Sequence, residues 1–161
     1  MTANGVRRAS TPAPDPAQDR ERDRDRLTLD SRLAELARVA PWVRQLAARY
    51  PISAHVAFAM NLCLEESLSN AIRHGYNATS GRYVRVRFSR PGENVFELTV
   101  EDDAPHFNPL QLAALPTIAE DPTRVGGQGI RLMRSFADSI DYTATPAGNQ
   151  LRLRFSNPPT P

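Results

Sequence analysis

Between residues 27 and 155, apolar side chains recur at two alternating periods. Leu27 and Leu29 flank Thr28, a spacing of two that predicts a short strand. Over 31–50 the period lengthens. Leu33, Leu36, Ala37 and Ala40, then Val43, Leu46 and Ala47, recur at three and four, which predicts a helix with Ser31 as its cap. Pro41 lacks an N–H and is expected to kink or break that helix near its middle. A second helix follows Pro51-Ile52, with Ser53 as N-cap. Val56, Met60, Cys63, Leu64, Ser67, Leu68 and Ala71 form one broad apolar face, and Gly75 reads as the C′ residue that ends it.

At 83–88 the period returns to two. Tyr83, Val84, Val86 and Phe88 are expected on the inner side, and Arg82, Arg85 and Arg87 on the outer. Pro91-Gly92-Glu93-Asn94 is a turn, and 95–100 is the return strand of a hairpin. The stretch 101–125 is Pro-rich and irregular, with a helical turn or two near 110–115. A helix opened by glycines covers 127–138. Strands at 140–145 and 151–155 close a final hairpin around Pro146-Ala147-Gly148-Asn149. The order is strand, helices, two strands, loop, helix, two strands. It predicts an α+β two-layer sandwich, a mixed and mostly antiparallel sheet with helices on one face. Strands do not alternate regularly with helices, which excludes a Rossmann arrangement, and no internal repeat is visible.

Composition adds boundaries. The 161 residues suit one domain over 27–156, flanked by tails at 1–26 and 157–161. The first tail is rich in Pro, Ala, Arg and Asp and carries almost no large apolar side chain, so it cannot repay the entropy of ordering and is predicted to be disordered. Net charge is only +2, and all 20 Lys+Arg positions are Arg. Many of these alternate with aspartates at 19–26, a mixed-charge tract that gives no footprint for direct nucleic-acid binding. The single cysteine, Cys63, permits no internal disulfide and fits a reducing cytoplasm. No apolar run is long enough to span a membrane, and the N-terminus lacks the apolar segment of a signal peptide.

Three segments carry candidate chemistry. In Glu65-Glu66-Ser67-Leu68-Ser69-Asn70-Ala71-Ile72-Arg73-His74-Gly75-Tyr76, Glu66 and Asn70 stand four apart and Arg73 three further on, on one side of a helix. An amide oxygen suits Mg²⁺ when phosphates and water complete its shell, a carboxylate can take a proton from a hydroxyl, and Arg matches phosphate. In Val100-Glu101-Asp102-Asp103-Ala104-Pro105-His106-Phe107-Asn108-Pro109, an acid at a strand end can accept from an exocyclic amine such as adenine N6. In Gly126-Gly127-Gln128-Gly129-Ile130, glycines let backbone approach phosphate at a helix N-terminus. Each segment alone also reads blandly: a solvated helix face, an acidic turn, a flexible turn before a helix.

Together, in this order and spacing, they resemble the N, G1 and G2 boxes of the GHKL ATPase superfamily. The nearest likeness is to its small bacterial anti-sigma-factor serine/threonine kinases. The resemblance covers roughly 27–156 and is most specific at 66–76, next at Gly126-Gly127-Gln128-Gly129-Ile130, and extends to the Gly148-Asn149-Gln150-Leu151-Arg152-Leu153 hairpin. It implies ATP and Mg²⁺ as cofactors. Glu66 is then the general base, Asn70 the Mg²⁺ ligand, Arg73 a phosphate contact and Asp102 the reader of adenine. Ala104 falls in the base-side loop, and Gly126, Gly127, Gln128, Gly129 and Ile130 on the phosphate side, with 108–125 as a short lid. It further implies a STAS-domain anti-anti-sigma protein as phosphorylated partner, a sigma factor as sequestered partner, and a homodimer.

This chain departs from the G1 pattern. Ala104 and His106 stand where glycines are expected; Ala104 fits if its φ is negative, and the bulkier His106 is expected to narrow or reshape the adenine side. Asp103 is the alternative adenine acid if the register slips by one. Those departures keep a second reading open, a switch that sequesters a regulator without kinase activity. A third, a detached histidine-kinase catalytic domain, has no helical phosphoacceptor hairpin ahead of the pocket to support it. Among single residues, His74 is expected to stabilise a helix end, His55 to lie at the surface or pack, Cys63 to lie in the core, and Trp42 to pack.

Overall fold

A computed structural model of the protein describes residues 25–112 and 128–159. All of the predicted N-terminal tail up to residue 24, most of the predicted lid, Gly126 and Gly127 lie outside the described residues. Five strands form one sheet in the order β1-β2-β3-β5-β4: β1 Arg26–Asp30, β2 Tyr83–Gly92, β3 Val95–Asp102, β4 Ser139–Thr145 and β5 Gly148–Ser156. Among the described residues all four pairings are antiparallel, so the mixed pairing expected is not present there. The helices are α1 Val39–Arg49, α2 Ala54–Asn70 and α3 Gln128–Phe136, with a short helical turn at Pro109–Leu112.

The period-two pattern puts one row of each central strand into the core. Val84, Val86 and Phe88, then Phe96, Leu98 and Val100, then Leu151, Leu153 and Phe155 are buried. Tyr83 is not among them: it is 53% exposed and shares the face of Arg85 and Arg87. Strict alternation allows only one of Tyr83 and Val84 inside, and the phase that buries Val84, Val86 and Phe88 together wins over burying one tyrosine. On the open face Glu97 sits between two arginines, 3.6 Å from Arg152 and 3.1 Å from Arg154. Such exposed pairs add little stability but forbid a register slip that would bury them.

α2 is the central helix, packed against α1, α3 and the sheet. It buries Val56, Ala59, Met60, Cys63, Leu64, Ser67 and Leu68, the face expected from its spacing. Ser53 caps it as expected, its Oγ accepting from Val56 N–H at 3.2 Å. Asn157 braces the same corner: its Oδ1 accepts from Ser53 N–H at 3.0 Å, and its Nδ2 donates to the Pro51 carbonyl at 2.6 Å. The hydrogen-bonded fold thus runs one residue past the boundary expected at 156.

Three helix-end expectations need correction. Ser31 caps nothing. It is fully buried, its hydroxyl donating to the Thr79 carbonyl and accepting from Arg82 N–H at 3.3 Å, which locks the loop before β2. Instead of one helix kinked at Pro41, a 3-10 turn at Leu33–Arg38 precedes α1, and Pro41 is the third residue of α1. A proline is tolerated in a first turn, where its missing N–H has no carbonyl to meet. Finally, α2 does not end at a left-handed Gly75. A single π turn, Ala71–Gly75, follows it; Tyr76 N–H bonds the Ala71 carbonyl at 3.1 Å, and Asn77 and Ala78 take the positive φ values of 50° and 54°. Gly75 is needed for space instead: a Cβ there would stand 3.0 Å from the Ala104 Cβ.

Replacing Ser53 by Ala removes one cap bond while leaving the Asn157 brace. The expected loss is about 1 kcal/mol of unfolding free energy, read from urea denaturation at unchanged slope.

Candidate functional site

The base of the site is a junction of two strand ends. Asp102 closes β3 and pairs with Asn149, the second residue of β5. The preceding Gly148 has φ of +133°, and a Cβ on it would lie 2.0 Å from the Asp102 carbonyl oxygen and 2.7 Å from Asp103 Cα. Only glycine permits that approach. Asn149 fastens the junction with every polar atom of its side chain. Its Nδ2 donates to Asp102 Oδ1 at 2.7 Å and to the carbonyls of Ala104 at 3.1 Å and Pro105 at 3.2 Å. Its Oδ1 accepts from Phe107 N–H at 3.0 Å and from the Tyr142 hydroxyl at 2.6 Å.

Asp102 Oδ1 also accepts from Ala104 N–H at 3.0 Å. Burial pushes the Asp102 carboxyl above the usual carboxylate range, the Asn149 bond working against that rise. Asp103 is turned away. Its carboxylate accepts from the Tyr76 hydroxyl at 2.6 Å, and that bond, chiefly, holds it below the usual range. Asp102, not Asp103, therefore faces the cleft.

The cleft, together with the open space at its mouth, encloses about 480 Å³. Val100, Leu151 and Met133 give it apolar walls from sheet and α3. Ser67, Asn70, Ala71 and Gly75 come from α2 and the π turn, and Phe107, Tyr142 and Asn149 from the opposite side. One half-buried carboxylate at an apolar end, and an amide at the other side, suit a flat heterocycle bearing an amine. The two G1 departures leave this end open. Ala104 is not among the residues of positive φ, and its buried methyl packs toward Gly75. His106 does not narrow the cleft: it is exposed, its Nε2 lies 2.9 Å from the Thr145 carbonyl, and it is not part of the lining. The β4–β5 turn offers it a carbonyl outside the cleft, a partner no local pattern reveals.

The phosphate-side expectations divide. Asn70 lines the cleft. Glu66, one turn earlier, does not; its carboxylate lies against α3, where a Cβ on Gly129 would come within 2.2 Å of Oε2. A side chain at 129 would have to push the end of the Glu66 side chain aside. Arg73 is exposed and is not among the residues lining the cleft. Ile130 is buried at 2% exposure, so only its backbone is available to a ligand. Gln128 opens α3. Among the described residues no cluster of three or more His, Cys, Asp or Glu could hold a metal ion, so a cation here would rely on an amide such as Asn70 together with ligand oxygens.

Cys63, buried beside Glu66, has its thiol pushed up to about 12, chiefly by burial, and is inert packing. Trp42 is buried, as expected, and His55 is exposed. His74 lies in the π turn with its ring 6.3 Å from Phe107. Sequence reasoning gave no individual role to Gly148, Asn149, Tyr142, Phe107 or Tyr76. Gly148 and Asn149 fall in the closing hairpin of the family resemblance, Tyr76 ends the 66–76 motif and Phe107 lies in the acidic segment, so the segments carried a signal and the single roles did not; Tyr142 carried none.

Two outcomes are expected. Gly148→Ala forces both a strained φ and a backbone clash, and should lower the thermal midpoint markedly and abolish ligand binding in the cleft, read by a melt with and without nucleotide. Asp102 is raised in the folded state, so its stabilising contribution is present below the unfolded-chain value and lost as pH rises through the folded value. Asp102→Asn should accordingly raise the thermal midpoint at neutral pH. An amine-bearing ligand that donates to the ionised Asp102 should bind more weakly as pH falls through the raised value, a limb absent in Asp102→Asn.

The Histidine kinase-like ATPase domain family matches residues 29–155. Serine/threonine-protein kinase BtrW of Bordetella bronchiseptica is 28% identical over 120 residues, covering 73% of this chain and 83% of that protein. Among solved structures, the histidine kinase domain of the Erythrobacter litoralis EL346 blue-light activated histidine kinase superposes with a TM-score of 0.50 at 20% identity, over 77% of this chain and 60% of that one. The longer EL346 kinase superposes with a TM-score of 0.51 at 20% identity, over 76% of this chain and 41% of that one. At that identity the likeness is one of fold, and the chain spans less than two thirds of both. The matched span takes in every described strand end and helix start that lines the cleft, and the chain belongs to the histidine kinase-like ATPase domain family.

Proposed function

We propose that the chain is an ATP-dependent protein serine/threonine kinase that also acts as an anti-sigma factor. Its substrate would be a STAS-domain anti-anti-sigma protein, phosphorylated on Ser or Thr. The observation that carries this reading is a pair of acids, one in the cleft and one beside it at the start of α3. Asp102 sits half-buried at the apolar end of the cleft, and Glu66 lies against Gly129 at the start of α3. The first suits an adenine amine; the second stands beside a helix N-terminus, where phosphate is favoured. The relative named as a serine/threonine-protein kinase supports the class of acceptor.

In this reading Asn70 holds Mg²⁺, which neutralises phosphate charge when bound. Glu66 orients the substrate hydroxyl and takes its proton as the oxygen attacks the γ-phosphorus and the bond to ADP breaks. Positioning and charge neutralisation supply most of the acceleration in such reactions, so a single carboxylate contributes about 10²–10⁴-fold. Arg73, exposed next to the turn that follows α2, would supply a further phosphate contact. A sigma factor as the sequestered partner and a homodimeric state complete the proposal and come from the family likeness.

Phosphoprotein formation with Mg²⁺-ATP and the cognate STAS partner tests it. Glu66→Ala should lower the rate by at least about 100-fold with ATP affinity changed by no more than a few fold. Asn70→Ala should abolish Mg²⁺-dependent ATP binding. ATP binding by calorimetry with no phosphoprotein from the wild type would sink the kinase reading and leave a nucleotide-bound switch; no heat at all would leave a switch that works by contact alone.

A further inference from the structure

Two adjacent aspartates leave β3, and only one reaches the cleft. Asp103 is held away from it by a reciprocal pair on one phenol. The Tyr76 hydroxyl donates to Asp103 Oδ1 at 2.6 Å, while the same oxygen accepts from the Asp103 backbone N–H at 3.0 Å. A third neighbour, the Tyr83 carbonyl, lies 3.2 Å from it and ties the phenol to the start of β2. Tyr76 is 7% exposed, and burial pushes its phenol up, so it stays a protonated donor at any physiological pH. Fixing both the amide and the carboxylate of Asp103 fixes the peptide that joins it to Asp102.

The groups facing Asp103 complete the picture. Arg82 Nη1 lies 3.6 Å from Oδ2, and Arg85 adds attraction from β2. The Asp103 side chain is still 49% exposed, and such solvated ion pairs are weak, so the arginines alone would not hold it. The buried phenol is the partner with fixed geometry. Tyr76 does not line the cleft and cannot touch a ligand there. Whatever it does to binding, it does through Asp103.

We propose that Tyr76 is a positioning residue for base recognition: by anchoring Asp103 outside the cleft, it fixes the direction in which Asp102 accepts the exocyclic amine. This rests on the reading of Asp102 as the adenine acceptor. With either end of that anchor removed, the joining peptide is free to turn and Asp102 loses its fixed direction.

The test compares ATP with inosine triphosphate, which carries an oxygen where adenine carries its amine, by calorimetry on the full chain. The wild type should prefer ATP. Tyr76→Phe should lower ATP affinity about five- to tenfold, the size of one lost hydrogen bond, with inosine triphosphate affinity unchanged. Asp103→Ala, at an exposed side chain that does not endanger folding, should collapse the preference by the same factor. The double variant should be no worse than either single one. Equal weakening of both nucleotides, an unchanged preference, or additive losses in the double variant would overturn the proposal while leaving the kinase reading intact. A wild type that does not distinguish the two nucleotides would instead overturn Asp102 as the acceptor, and this proposal with it.

Discussion

The site depends on one close approach, that of Gly148 to the Asp102–Asp103 backbone. Two strands that end side by side normally diverge into separate loops. Here the missing side chain at 148 lets the β3 end and the β5 start remain in contact, and the next residue, Asn149, is thereby delivered into the gap. Its amide then satisfies acceptors on Asp102, Ala104 and Pro105 and a donor on Phe107. Buried polar groups are costly when unpaired, and removing this amide would orphan several at once. The segment after β3 has no secondary structure of its own over 103–108. The amide serves there as a substitute for a sheet ladder.

What the sequence made legible and what it hid divide along the distance over which each interaction acts. Period-two strands, the apolar face of α2 and the Ser53 cap are local, and each stands where its pattern put it. Ser31 was misread because its acceptor, the Thr79 carbonyl, lies 48 residues further on. His106 was misread because its partner, the Thr145 carbonyl, lies 39 residues away. Tyr83 failed for a different reason: two neighbouring apolar residues cannot both face one side of a strand, and only the whole row decides between them. The two candidate acids are side by side, and the choice between them follows from Asn149 and Tyr76, whose motifs mark their segments but not the partners 47 and 27 residues away that their side chains bind.

The phosphate side was legible in residue type and less so in geometry. Asn70 lines the cleft, and the Glu66 carboxylate lies against Gly129 at the start of α3. Arg73 is exposed and outside the lining. A side chain at 129 would have to push the end of the Glu66 side chain aside, a contact that the glycine motif does not reveal.

The π turn at Ala71–Gly75 has a wider consequence. An α-helix advances about 100° per residue, so one extra residue in a turn rotates everything after it by that angle relative to everything before. Glu66 and Asn70 belong to one phase, and Gly75 and Tyr76 to the other. The turn is a phase shifter between the two halves of the site. Gain or loss of a single residue inside it would re-aim Tyr76 and its aspartate while leaving the Glu66–Asn70 spacing untouched, so length at this one turn gives the fold a way to retune the base end separately from the phosphate end.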